Sequence, residues 1–158
     1  IDSALYPFSP EEWNSHSLAG FNMDGMTAVL ENAMTNHDGY TRGFTRMCFH
    51  EPPCQEDEDW VSTEMKKLPM YIAFALYNDF LFQDYTATLP KIDIPLLICC
   101  AKSPAIPRGL EMGRYYRDLV GGNCCFHEFH DLGHVMFLED PEQFNETVLY
   151  FVETYTRN

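Results

Sequence analysis

Pro95-Leu-Leu-Ile-Cys-Cys-Ala101, followed by Pro107 to Val120, Cys124 to Phe129 and Pro141 to Thr154, is the stretch on which the fold turns. The first run is short, apolar and bounded by prolines, the pattern of a strand buried on both faces. Pro107 to Val120 has amphipathic helical spacing and is closed by Gly121-Gly122. Cys124 to Phe129 reads as a second strand, and Pro141 to Thr154 places Phe144, Val148, Phe151 and Val152 on one helical face. Strand, helix, strand, helix at these lengths predicts a parallel β-α-β-α unit of an α/β fold. Two parallel strands do not make a stable open sheet alone, so more sheet is expected than this stretch supplies.

Upstream of Leu89-Pro90 the rhythm is helical. Ser9-Pro10-Glu11-Glu12 has the residues of a helix start, with Ser at the N-cap, Pro at the first helical position and Glu reaching back. Met23, Met26, Thr27, Leu30 and Met34 share one face of a helix expected to run to about Thr35. Asn36 and Gly39 offer a stop, and a second helix is expected over Tyr40 to Phe49, broken by Pro52-Pro53. The acidic run Glu56 to Asp59 opens a helix to about Leu68 that closes on Lys66 and Lys67, matching the helix dipole at both ends. This run reads as a solvated helix start; it lacks the alternating spacing and glycine of a calcium loop. Pro69 begins a further helix. Its aromatic residues Tyr71, Phe74, Tyr77, Phe80 and Phe82 read as core, with a pocket lining as the alternative.

Composition narrows the function. The 158 residues are about one domain's worth, and 46% hydrophobic content is enough for a core. A formal charge of -14 repels phosphate backbones and anionic lipid surfaces, which argues against nucleic-acid and membrane-surface roles. No apolar run approaches the roughly 18 residues of a spanning helix. The six cysteines include the adjacent pairs Cys99-Cys100 and Cys124-Cys125, each expected to send one thiol to either face of a sheet. None has Cys-x-x-Cys spacing, so buried, reduced cysteines of a cytoplasmic protein are expected, with Cys48 and Cys54 the pair to watch for a disulfide.

The chemistry points to His134, in the loop Asp131-Leu-Gly-His134 straight after the second strand. Loops at the carboxyl ends of parallel strands are where α/β folds hold reactive groups. Gly133 is expected to permit a tight turn, and Asp131, three residues from His134, to stabilise it. His127 and His130 flank the strand and read as surface or supporting positions; with His134 they lack the geometry of a zinc site. His16, His37 and His50 fall in helices or loops of the first half. No metal and no cofactor are expected.

The run Leu89-Pro-Lys-Ile-Asp-Ile-Pro-Leu-Leu-Ile-Cys-Cys-Ala101, a helix, and then Gly-His-x-x-x-x-Glu-x-Pro-Glu-x-Phe before a last helix resembles the C-terminal end of the α/β-hydrolase family. The resemblance covers residues 89–154. It implies the C-terminal part of that fold: 1–5 the end of a core strand, 6–88 a helical cap, and 89–158 the β-α-β-α of a mostly parallel core sheet. Ile1-Asp2-Ser3-Ala4 resembles the end of the family's sixth strand leading into the cap. The resemblance assigns His134 the role of general base.

Two departures from the pattern matter. The sequence has no Gly-x-Ser-x-Gly nucleophile elbow, which in this family precedes the sixth strand. The nucleophile is therefore expected on an N-terminal half of the same hydrolase, whether a separate chain, a cleaved fragment or an omitted region. Secondly, the family's acid commonly follows the seventh strand, where this chain has Ala101-Lys102-Ser103-Pro104. Ser103 is neutral at the expected place and offers at most a neutral hydrogen bond to the ring. Some relatives carry the acid after the sixth strand instead, and Asp2 resembles that position; its alternative is an ordinary strand-end Asp. The expected function is hydrolysis of a small apolar ester or acyl substrate. The alternatives are another chemistry on the same scaffold (dehalogenase, epoxide or C–C hydrolase, cofactor-free oxygenase) and a non-catalytic binding protein with a decayed triad.

Overall fold

The structure is a computed structural model; it describes Pro7, residues 22–122 and residues 124–155. The helix start at Ser9 and the sixth-strand resemblance at Ile1 to Ala4 lie outside the described residues. Four helices come first: α1 (Met23–Thr35), α2 (His37–Cys48), α3 (Gln55–Lys66) and α4 (Met70–Phe82). A 3-10 segment, Thr86–Lys91, leads into β1 (Leu96–Ala101), α5 (Gly109–Val120), β2 (Cys124–Phe129), α6 (Met136–Glu139) and α7 (Pro141–Tyr155).

Asn36 is where the expected boundary moves. It closes α1 with its N–H and opens α2 with its side chain, which accepts the Gly39 N–H at 3.1 Å. Gly39 thus sits in the first turn of α2 rather than stopping a helix. A capping Asn leaves no linker to read. The methionine stripe also differs: α1 buries Met26 and Ala33, while Met23 and Met34 are 53% and 71% exposed. The buried line runs through Met26, the half-buried Val29 and Leu30, and Ala33, the i, i+3, i+4, i+7 pattern centred one position away. In α4, Leu81 is buried, Phe80 packs against Ile106 and Met112, and Tyr71 and Phe82 are exposed.

Helices α2 and α3 meet through polar groups. Thr41 Oγ1 and Ser62 Oγ share a hydrogen bond at 2.9 Å, and Thr45 Oγ1 donates to Thr41 O at 2.8 Å, with all three side chains buried. Beside them the buried Glu58 accepts from Arg46 Nε at 2.7 Å and from Arg42 Nη1 at 3.3 Å. Arg46, then Arg42, holds the Glu58 carboxyl below the usual carboxylate range. Glu58 therefore corrects the expectation of a wholly solvated acidic run. It is a buried anion that is fully paired, as such burial demands.

β1 and β2 pair in parallel, Leu96 opposite Cys124 through Ala101 opposite Phe129. Alternation along β1 divides its side chains as expected. Leu97, Cys99 and Ala101 join Phe129, Met136 and Phe144 on the face covered by α6 and α7, while Cys100 faces α5. Gly113 lets α5 lie close, since a Cβ there would stand 2.6 Å from Cys100 Sγ. None of the six cysteines is in a disulfide. Cys54 is exposed and Cys124 and Cys125 half-buried, so the expectation that all are buried holds for Cys48, Cys99 and Cys100 alone. No helix among the described residues is long and apolar enough to cross a membrane.

The sheet has two strands among the described residues, and the flanking helices leave large apolar side chains uncovered: Tyr150 of α7 is 65% exposed, Leu149 60%, and Leu76 of α4 60%. Such a sheet is too small to be stable unaided. Residues 1–158 expressed alone are expected to bind a hydrophobic dye and to unfold without cooperativity; a sharp two-state melt of the isolated monomer contradicts this.

Candidate active site

Because β1 and β2 are parallel neighbours, the loops leaving their carboxyl ends, 102–108 and 130–135, lie side by side. The last carbonyls of a helix have no partners within it. The last two of α2 are taken by these loops: Met47 O accepts the Ala105 N–H at 2.9 Å, and Cys48 O accepts the His134 N–H at 2.7 Å. The end of α2 thereby holds both loops by their backbones.

Gly133 is explained by this grip and not by a special dihedral angle. Among the described residues Gly121 is the one glycine with positive φ, so the turn does not require glycine at 133 for that reason. A Cβ on Gly133 would lie 2.5 Å from both Cys48 O and His50 N and 2.7 Å from Phe49 C. Backbone atoms cannot yield as a flexible side chain can. The glycine is there because the chain after α2 passes directly over it.

A carboxylate completes the arrangement, and it is Glu139 rather than Asp131, which is exposed. Glu139 Oε2 accepts the Gly133 N–H at 2.5 Å and Oε1 accepts the His50 N–H at 2.7 Å. Sequence reasoning saw Glu139 only as part of the approach to the last helix. Its position five residues beyond His134 was the available signal, but its partners are backbone amides, and one of them lies 89 residues away.

His134 is half-buried, and Ser103 is 4% exposed. The Ser103 Oγ is buried with no hydrogen-bond partner among the described residues, so the neutral bond allowed for it is not formed there. Asp2 lies outside the described residues. His127 packs its ring against Phe129 with centroids 4.5 Å apart, and the exposed His130 stands 3.3 Å from Glu128. Both are supporting or surface positions, as read from alternation. Among the described residues no cluster of His, Cys, Asp or Glu is arranged to hold a metal ion.

A cavity of about 530 Å³ opens beside the length of α2. Its walls include Ala28 and Val29 of α1, Tyr40, Gly43 and Met47 of α2, Tyr77 of α4, and Pro104, Ala105 and Pro107 after β1. Among the described residues none that lines it carries a formal charge. Burial pushes the Tyr77 phenol up to about 12, with Tyr40 adding to the shift, and raises Tyr40 as well. Both phenols therefore remain neutral. The space suits an uncharged, largely apolar group.

No family model matches the sequence, and no curated protein matches it. Solved structures do. An esterase from Exiguobacterium antarcticum matches with a TM-score of 0.83 at 20% identity, over 96% of this chain and 54% of that one. A bromoperoxidase from Bacillus anthracis gives 0.80 at 15% identity, covering 94% of this chain and 54% of its own. A hydrolase from Oleispira antarctica gives 0.78 at 18% identity, with 97% and 54% covered. All three are α/β-hydrolase fold proteins, and the chain has the fold of the C-terminal half of such structures. It spans about half the length of the solved structures it resembles.

Proposed function

We propose that this chain is the C-terminal portion of an α/β-hydrolase-fold enzyme that hydrolyses a small, largely apolar ester or acyl substrate. The observation that carries the reading is the His134 loop at the carboxyl end of β2, bonded to Cys48 next to Met47, which lines a cavity whose described walls carry no formal charge. In this reading a nucleophile on the N-terminal half attacks the acyl carbon. One ring nitrogen of His134 takes its proton, delivers it to the leaving group, and then activates the water that releases the acid. Asp2 is the proposed partner for the other ring nitrogen, and residues 6–88 are the cap whose helices α1, α2 and α4 enclose the substrate's apolar part.

Gly43 makes this testable, because a Cβ built there meets nothing within 4 Å. Gly43→Leu therefore fills cavity space without a backbone clash, and leucine is favoured over glycine within a helix by roughly 1 kcal/mol. In the complete protein, Gly43→Leu is expected to lower kcat/KM for long-chain aryl esters by roughly 10-fold or more relative to aryl acetates, with no loss of melting temperature. Equal effects on short and long esters contradict the assignment of the cavity. Absence of any ester hydrolysis by the complete protein contradicts the function.

A further inference from the structure

We propose that Glu139 is a positioning residue that locks the loop of the base to the cap, so that His134 is held in place only while the cap is seated. The inference rests on the hydrolytic reading of His134. Three backbone bonds define the lock: Cys48 O receives the His134 N–H at 2.7 Å, and the two oxygens of Glu139 receive Gly133 N–H at 2.5 Å and His50 N–H at 2.7 Å. Donors on either side of the interface, one in the His134 loop and one just past α2, thus converge on a single carboxylate.

The chemistry of the pair of donors explains why the residue is an acid. Two N–H groups need two acceptors, and a carboxylate supplies both with charge-assisted bonds. An amide supplies one acceptor and turns an N–H toward the other donor. Glu139 itself is fixed at the end of α6, whose Met136 is 3% exposed in the core with Cys99, Ala101 and Phe129. The lock therefore runs from the sheet core, through Glu139, to the cap. It places the histidine loop without entering the reaction, and a displacement of about 1 Å in such a group costs roughly 10²-fold in rate.

Glu139→Gln in the complete protein tests this, with an independent arm in His50→Pro. The latter removes the cap-side donor together with the exposed imidazole and sets the proline ring where the N–H met Glu139, and Phe49 already has the extended backbone (ψ 153°) that proline requires of its predecessor. Both variants are expected to reduce kcat about 10- to 100-fold with KM changed less than about twofold. In Glu139→Gln, hydrogen exchange at the Gly133 and His50 amides is expected to accelerate while the α5 amides stay protected. Either variant retaining full kcat, with the amide bonds shown to be lost, overturns the proposal. So does a fall in activity that only tracks the folded fraction, the mark of a purely structural role. If His134→Ala abolishes hydrolysis while both variants stay fully active, the lock fails and the hydrolytic reading stands. If His134→Ala is itself silent, both fall.

Discussion

His134→Ala in the complete protein is expected to lower turnover by roughly 10⁴-fold or more, the scale on which loss of a triad base acts. The melting temperature should be nearly unchanged. The structural reason is that the contribution of residue 134 to the α2 grip is its backbone N–H, donated to Cys48 O at 2.7 Å, and alanine keeps that bond. What alanine loses is the imidazole alone. Steady-state kinetics with an aryl ester, alongside a thermal melt, separates the two effects. His127→Ala should cost stability more than turnover, because its ring packs on Phe129, and the exposed His130 should tolerate alanine in both respects. Were His130→Ala or His127→Ala as damaging to kcat while His134→Ala remained mild, the base would have been misplaced.

The second large effect is expected at Asp2. A histidine base needs its far nitrogen fixed by an acceptor, and an anion there also stabilises the imidazolium formed during reaction. Ser103 stands where the family pattern expects that anion, yet its buried hydroxyl has no hydrogen-bond partner among the described residues. Ser103→Ala is therefore expected to leave turnover within about twofold and stability unchanged or slightly raised, since an unpaired buried hydroxyl contributes no bond to lose. Asp2→Asn is expected to cut turnover by roughly 10⁴-fold with the fold retained. The decisive measurement is the ranking of kcat between the two variants. The reverse ranking removes Asp2 from the site and favours a binding protein built on a weakened triad.

The parts of the fold legible in the sequence are those written in apolar periodicity or in chain-breaking residues. β1 lies between prolines, β2 ends at the Phe129 that fills the core, and α5 ends on Gly121, whose φ of 76° is the left-handed conformation glycine accepts. The α2–α3 contact was illegible because Thr41, Thr45, Ser62 and Glu58 are polar residues, and polar residues are read as solvent-facing until their partners are known. The candidate site divides the same way. His134 was visible from its motif and its place after a strand. The Met47, Cys48 and Glu139 contacts were not, because each rests on a backbone group, and every residue has one. Gly133 was noticed as a turn residue, but glycine marks both positive φ and close approach, and the backbone of Cys48, Phe49 and His50 lying over it identifies the second.

The paired carbonyls at the end of α2 also dictate where the chain can change length. Successive carbonyls of a helix are rotated by about 100° and advanced by about 1.5 Å. A single residue inserted or deleted within His37–Cys48 would thus swing both acceptors away from Ala105 and His134 together. Just beyond, at Glu51-Pro52, the chain is exposed and outside the grip, so added residues can loop into solvent there. Indel tolerance therefore switches from nearly none to considerable within four positions, between Cys48 and Pro52.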